Sequence, residues 1–165
     1  MCQWISMMAS PESPILFVVG EGDGDRIISR AVRIGYFNVL GYNNFKIADY
    51  PGDKHQPKVY NGKEILEVAK RQHLDVRNKP EWEQTGVIED SILIPLPQLK
   101  NRAAELKGKE DLVINCRTGG RARFAYSILK NAGIDSVVIA DSNYCLIAEV
   151  EDLESFGHKF VKYEG

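Results

Sequence analysis

The sequence predicts an α/β protein with a mostly parallel sheet flanked by helices. Two segments of the chain repeat the same order of apolar strand, Gly-containing loop, amphipathic helix and apolar strand. Short apolar runs of this kind are typical of strands buried in a parallel sheet. Because strand–helix–strand units connect by right-handed crossovers, the repeat indicates parallel strands covered by helices.

The first unit lies near the N-terminus. It has a predicted strand at Ile15–Val19, a helix from Ile27 that ends at Gly35, and a returning strand at residues 37–40. The residues between strand and helix, 20–25, superficially resemble a phosphate-binding loop. Their acidic side chains would repel a phosphate and no Lys-Ser/Thr pair follows, so we predict a solvent-facing turn.

The second unit has a predicted strand at residues 112–114, a loop at 116–120, a helix from Ala122 that ends at Gly133, and a strand at 136–139. Between the units we predict helices at 62–70 and 99–106 and strands at 73–76 and 91–94. Residues 50–57 are polar and contain two prolines and a glycine, which favours a linker. We therefore expect a partial repeat at 1–50, a linker at 51–57 and a complete domain at 58–162.

Composition and charge exclude several classes of function. The chain is 44% hydrophobic and 27% charged, with a net charge of −2, which is typical of a globular protein and argues against a nucleic-acid binder. No apolar run reaches the length of a membrane span, and the N-terminus lacks the pattern of a secretion signal. Three cysteines form a sparse, odd set, so we expect a reducing cytoplasmic location.

The most informative segment follows the strand of the second unit. Cys116 stands at the carboxyl end of that strand, where open α/β sheets bind their ligands. Gly119 and Gly120 allow a tight loop whose N–H groups can converge, and the next helix begins there. Arg117 and Arg121 add positive charge, so a thiol at this position should ionise readily and act as a nucleophile toward an anionic substrate. A cysteine that is merely part of the core would have no use for these neighbours.

This loop, Cys-Arg-Thr-Gly-Gly-Arg-Ala at 116–122, resembles the Cys-Arg-Ser-Gly-x-Arg-Ser loop of the rhodanese family. Residues 74–82 are similar to the family's Asp-Val-Arg-x-x-x-Glu-Tyr/Trp signature, and residues 86–96 to its Gly-His-Ile-x-Gly-Ala-x-Asn-Ile-Pro segment. Val87, Asp90 and Leu93 depart from that last pattern. The three motifs occur in the family's order over about residues 58–140.

The resemblance implies a rhodanese-like domain with sulfurtransferase activity. Sulfur would pass from thiosulfate or a small persulfide to Cys116, and from there to a thiol, sulfite or cyanide, without a cofactor. Asp75 and Arg77 are expected to support the loop as a buried ion pair. The substrate-binding residues would be those of the loop itself: Arg117, Thr118, Gly119, Gly120 and Arg121.

The N-terminal unit also finds a counterpart in this family. Residues 14–42 resemble the second half of a degenerate rhodanese-like domain, which occurs in fusions with a metallo-β-lactamase-type persulfide dioxygenase domain. The resemblance implies that this chain is the C-terminal portion of such a protein. His55, His73 and His158 are too scattered for that enzyme's metal cluster, so we expect no metal here. The open edge and apolar face of a half-sheet favour packing on the complete domain or a homodimer through this unit.

Two other functions compete with this interpretation. Cysteine-dependent phosphatases use a Cys-x5-Arg loop, whereas Arg121 follows Cys116 after only four intervening residues. A non-catalytic docking module of a larger sulfur-metabolism enzyme would not need the cysteine and both arginines.

Overall fold

The computed structural model describes residues 5–52, 56–60, 64, 68, 71–135, 137–140 and 159–165. The chain separates into two compact units, Met1–Gln56 and Pro57–Gly165. Each unit is built around parallel strands, as the sequence predicts. No helix in the described part of the chain is long and apolar enough to cross a membrane.

The first unit is a single strand–helix–strand motif. Strand β1 (Ile15–Val19) pairs in parallel with β2 (Val39–Asn44), and helix α1 (Gly24–Arg33) connects them. A Cβ atom at Gly24 would lie 2.2 Å from the ring of Tyr42, so only glycine allows this close approach of helix and strand. The returning strand runs to Asn44, further than the predicted 37–40, because it pairs with the whole length of β1.

One face of this small sheet is strongly apolar and exposed. Phe17 pairs in register with Tyr42, which lies against α1, and the alternation of a strand therefore directs Leu16 and Val18 to the opposite face. The two side chains are 59% and 56% exposed, and the nearby Phe37 is 76% exposed.

The second unit contains a parallel sheet and helices. Its described elements in chain order are β3 (Val59–Tyr60), β4 (His73–Asp75), α2 (Lys79–Thr85), β5 (Val87–Ile88), β6 (Ile92–Leu93), α3 (Leu96–Arg102), a 3-10 helix (Ala103–Leu106), β7 (Leu112–Asn115), α4 (Gly120–Asn131), β8 (Val137–Ala140) and β9 (Phe160–Val161). Five of these strands form the parallel sheet, in the order β3-β8-β7-β4-β6. A separate antiparallel pair joins β5 to β9.

The centre of this sheet is β7, whose four residues are all buried. Helix α4 packs against β7, β8 and α3, and its buried side chains recur at the spacing of one helix face: Ala122, Ala125, Ile128 and Leu129. The predicted α/β class, with a parallel sheet flanked by helices, is confirmed. The carboxyl end of β7 is held by hydrogen-bonded strands on both sides, β4 and β8, so the loop that follows β7 starts from a fixed position.

Some boundaries differ from the sequence expectations. The helix predicted at 99–106 begins instead at Leu96, directly after Pro95, and its last turn tightens into the 3-10 helix. Helix α2 and the two-residue strands β3, β5 and β9 had no counterpart in the expectations. Most of the helix predicted at 62–70 lies outside the described residues.

The last described residues of the chain pack on α2. The ring of Tyr163 lies 5.5 Å from that of the buried Trp82, measured between ring centroids, and the Lys79 ammonium lies 5.7 Å from the Tyr163 ring. Strand β9 holds this segment in place by pairing with β5, and Glu89 donates a backbone hydrogen bond to Lys159. Helix α2 is therefore covered by the end of the chain.

Candidate active site

Cys116 follows directly after β7, at the carboxyl end of the central strand. Its side chain is buried, with an exposure of 1%. The loop then turns at Gly119, whose φ of +76° lies in the left-handed region that favours glycine, and α4 begins at Gly120. The thiol is thus held between a strand end and a helix N-terminus, a place where negative charge is stabilised.

Arg121, in the first turn of α4, is bound to a residue forty positions earlier. Its Nη1 and Nη2 atoms donate hydrogen bonds of 2.5 and 2.7 Å to the two carboxylate oxygens of Glu81. The same carboxylate accepts a 3.0 Å hydrogen bond from the backbone N–H of Asn78 at the start of α2. Only 11% of the Arg121 side chain is exposed. The bidentate pair therefore ties α2 to the active-site loop.

The electrostatics of this pair follow from its geometry. The hydrogen bonds from Arg121 hold the pKa of the Glu81 carboxyl below its ordinary value of 4.5, and the Asn78 N–H and the charge of Arg77 act in the same direction. The Glu81 contact raises the pKa of Arg121, reinforced by negative charge on Cys116 and Asp75. Arg121 and Glu81 are therefore both charged at neutral pH and compensate each other.

A second ion pair lies below the loop. Arg77 donates to Asp75 from Nε and from Nη2, at 2.9 and 2.7 Å, and the two side chains are 2% and 0% exposed. The same guanidinium donates to the Thr85 hydroxyl and to the Gly86 carbonyl. Asp75 is the last residue of β4 and lies beside the end of β7 in the sheet. Through Arg77, the ion pair therefore connects this strand end to Thr85 and Gly86 at the C-terminal end of α2.

The other two polar side chains of the loop face outward. Arg117 and Thr118 are exposed, and within the described part of the chain Arg117 makes no ion pair. The Arg117 guanidinium is therefore open to solvent, whereas both Nη atoms of Arg121 donate hydrogen bonds to Glu81.

The described residues contain no group of three or more His, Cys, Asp or Glu side chains that could hold a metal ion. His73 is buried in β4, while His55 and His158 lie outside the described residues, as do Cys2 and Cys145.

The family profile of the rhodanese-like domain matches residues 60–144, just over half of the chain. The chain belongs to the rhodanese-like family. Its matched segment contains Cys116, both ion pairs and all strands of the parallel sheet except the first residue of β3.

Several known proteins are similar to this rhodanese-like domain. A rhodanese domain-containing protein of Drosophila melanogaster is 34% identical over 93 residues, which cover 48% of this chain and 84% of that protein. A rhodanese-related protein of Thermoplasma volcanium is 24% identical, with a TM-score of 0.49 over 64% of this chain and 99% of that one. A single-domain sulfurtransferase of Saccharomyces cerevisiae is 20% identical, with a TM-score of 0.47 over 60% and 95%.

Of the site residues that the sequence indicates for this rhodanese-like domain, the structure leaves Arg117 and Thr118 exposed and places the others that are charged in ion pairs; one of these pairs adds a residue to the set. Asp75 and Arg77 lie next to the loop as a buried pair, and Arg121 joins α2. Glu81 was absent from the predicted set, although Asn78-x-x-Glu81 with Pro80 between them is a sequence pattern that starts a helix. That pattern could have located α2, but not the contact between Glu81 and Arg121.

Proposed function

We propose that this rhodanese-like domain is a sulfurtransferase whose nucleophile is Cys116. The thiolate attacks the outer sulfur of a donor and forms a Cys116 persulfide. With thiosulfate the S–S bond breaks and sulfite leaves with the electron pair; with an alkyl persulfide a thiolate leaves. Cyanide, sulfite or a thiol then takes the outer sulfur, and the Cys116 thiolate is regenerated.

The observation that carries this proposal is the placement of Cys116. It is the buried residue at the junction of the central strand and the N-terminus of α4, and the exposed Arg117 is next in the chain. A helix N-terminus and an exposed guanidinium stabilise both the thiolate and an anionic donor. The left-handed conformation of Gly119 allows the chain to turn directly before α4.

The decisive experiment is mass spectrometry of the purified protein after incubation with thiosulfate, or with glutathione persulfide. The expected result is one added sulfur atom on the peptide that contains Cys116, removed again by cyanide with release of thiocyanate. A Cys116 peptide that stays unmodified with both donors would overturn the proposal.

A cysteine-dependent phosphatase is the nearest competing enzyme. Such an enzyme needs a wider loop and an arginine side chain that faces the phosphate. Here Arg121 comes one position earlier, and its two Nη atoms are held by Glu81. We therefore expect negligible hydrolysis of aryl phosphates. Insertion of one residue between Gly120 and Arg121 should reduce sulfur transfer and permit weak phosphatase activity.

The wider assembly remains a proposal as well. The first unit would be the remnant of an inactive rhodanese-like domain without chemistry of its own, and a metallo-β-lactamase-type dioxygenase would be the fused or associated partner. A non-catalytic docking role predicts that Cys116→Ser leaves the function of such an assembly intact. Sulfurtransferase activity predicts that this substitution abolishes sulfur delivery. Measuring the function of the assembly with Cys116→Ser therefore distinguishes a docking role from a catalytic one.

A further inference from the structure

We infer that Glu81 is a specificity-determining residue. Because Glu81 neutralises the charge of Arg121, Cys116 accepts sulfur more readily from neutral or singly charged donors than from the thiosulfate dianion. This inference rests on the proposed sulfurtransferase function. Glu81 does not touch the sulfur, and it acts through the guanidinium that the loop presents.

The charges around Cys116 explain the bias. Arg77 is compensated by Asp75 at 2.7 Å and Arg121 by Glu81 at 2.5 Å. Of the three arginines in the motifs of the site, Arg117 alone is exposed and makes no ion pair within the described residues. The two pairs carry no net charge, so within the described residues Arg117 supplies the one uncompensated positive charge among these three arginines. Arg121 stands in the first turn of α4, directly after the loop that begins at Cys116, so its charge belongs to the surroundings of the sulfur.

The two donor classes differ in what they bring to this site. Thiosulfate brings two negative charges and releases sulfite, which carries two away. An alkyl persulfide, RSSH, brings none or one; attack by the thiolate on its outer sulfur gives the Cys116 persulfide and a leaving thiolate, and the number of charges is conserved. Because one uncompensated cation balances only the thiolate itself, the dianion meets a site without surplus positive charge.

The Glu81→Gln variant tests this with little change of shape. A glutamine amide oxygen can still accept hydrogen bonds from Arg121 and from the Asn78 N–H, and Gln is as suitable as Glu at this helix position. The negative charge is lost, and an amide NH2 group replaces one of the two oxygens that accept from Arg121. The ratio of kcat/KM for thiosulfate to kcat/KM for ethyl persulfide should rise by about threefold to tenfold, since one added unit of positive charge acts more strongly on the dianion.

Glu83→Gln is the matched control. Glu83 lies on the same helix, and its exposed carboxylate is 4.0 Å from the Lys79 ammonium. The substitution removes the same negative charge as Glu81→Gln. Its substitution should leave the ratio within about twofold of the wild type, because an exposed charge is screened by solvent and salt. The double variant Glu81→Gln, Arg121→Gln restores the original net charge, and the ratio should return toward the wild-type value even if both rates fall.

The outcomes separate the inference from the function it rests on. A wild-type protein that accepts sulfur from neither donor overturns the sulfurtransferase function. Transfer by the wild type with an unchanged donor ratio in Glu81→Gln overturns the specificity role alone. Equal losses with both donors would show that Glu81 only braces the loop, and this also contradicts the inference. An increased ratio in Glu81→Gln supports it, and 0.5 M salt should reduce this increase only in part, because the Arg121 side chain is 11% exposed.

Discussion

Asp75 and Arg77 form an ion pair that is almost completely removed from solvent, two residues apart in the chain and directly beneath the loop that carries Cys116. Its geometry uses both carboxylate oxygens, and the guanidinium also binds Thr85 and Gly86. A buried pair of this kind is stable as a pair, but removal of one charge would leave the other buried without the opposite charge that compensates it here.

We therefore expect Asp75→Asn to destabilise the domain by about 3–5 kcal/mol, because the Arg77 guanidinium stays buried without a counter-charge. Chemical denaturation measures this free energy of unfolding. The exposed pair Arg102–Glu105 offers a control, and Glu105→Gln should change stability very little. Equal effects of the two substitutions would contradict the supporting role of Asp75.

Replacement of Cys116 by Ser should abolish sulfur transfer, since a hydroxyl at this position remains protonated and cannot carry a persulfide. Turnover of thiosulfate with cyanide as acceptor is the measurement. Cys2→Ser and Cys145→Ser are the controls and should retain most of the activity. Near-normal turnover by Cys116→Ser would eliminate the proposed mechanism.

Gly119 and Gly120 provide a matched pair of substitutions in the loop. At Gly119 the φ of +76° makes any side chain strained, so Gly119→Ala should cost about 1–2 kcal/mol of stability. A Cβ at Gly120 would meet nothing within 4 Å, so Gly120→Ala should be tolerated in the fold. Thermal unfolding of the two variants should therefore differ, and the reverse order would show that the loop adopts another conformation.

Acidification should weaken the contact between Glu81 and Arg121. The pKa of Glu81 is lowered in the folded protein, so its contribution to stability is present above the ordinary value of 4.5 and is lost as pH falls through the folded value. Unfolding of the wild type and of Glu81→Gln should be compared between pH 7 and pH 3. We expect their melting temperatures to converge at the acid end; a constant difference across this range would contradict the sign.

Association through the first unit can be tested at its exposed strand face. Leu16→Glu places a charge where an apolar side chain is 59% exposed, and should reduce self-association if this face joins two copies. Light scattering over a range of protein concentrations reports the change. Ser29→Glu, at an exposed position of α1, introduces the same charge as a control. A wild type that is monomeric at all concentrations would rule out the homodimer.

The parts of this fold that could be predicted are those whose conformation follows from the pattern of neighbouring residues in the sequence. Strands β1 and β7 lie in apolar runs of the sequence, and α4 has a regular stripe of small and apolar side chains. Strand β9 could not be predicted in this way, because two residues gain their conformation only from pairing with β5, more than seventy positions earlier. Local sequence contains no record of that partner.

The same distinction applies to the site. Cys116 and its loop were recognisable because glycine, arginine and cysteine stand side by side in the sequence. The role of Glu81 is created by an ion pair that spans forty residues, so it depends on the arrangement of α2 against the loop. Arg77 lies between these two extremes. Its partner Asp75 is only two residues away, so an ion pair at the end of a buried strand could be predicted from the sequence.

The packing of Tyr163 on Trp82 provides an optical signal for the state of α2. The chain contains two tryptophans, Trp4 and Trp82, so a Trp4→Phe protein would fluoresce from an indole whose neighbour in space is the tyrosine near the C-terminus. Emission from Trp82 should shift to longer wavelength whenever β9 detaches from β5 and water reaches the ring. A purification tag after Tyr163 could disturb this contact, so a tag belongs at the N-terminus. Glu81, next to Trp82 on the same helix, binds Arg121, so the emission wavelength of Trp82 would also report a displaced loop before any substrate is added.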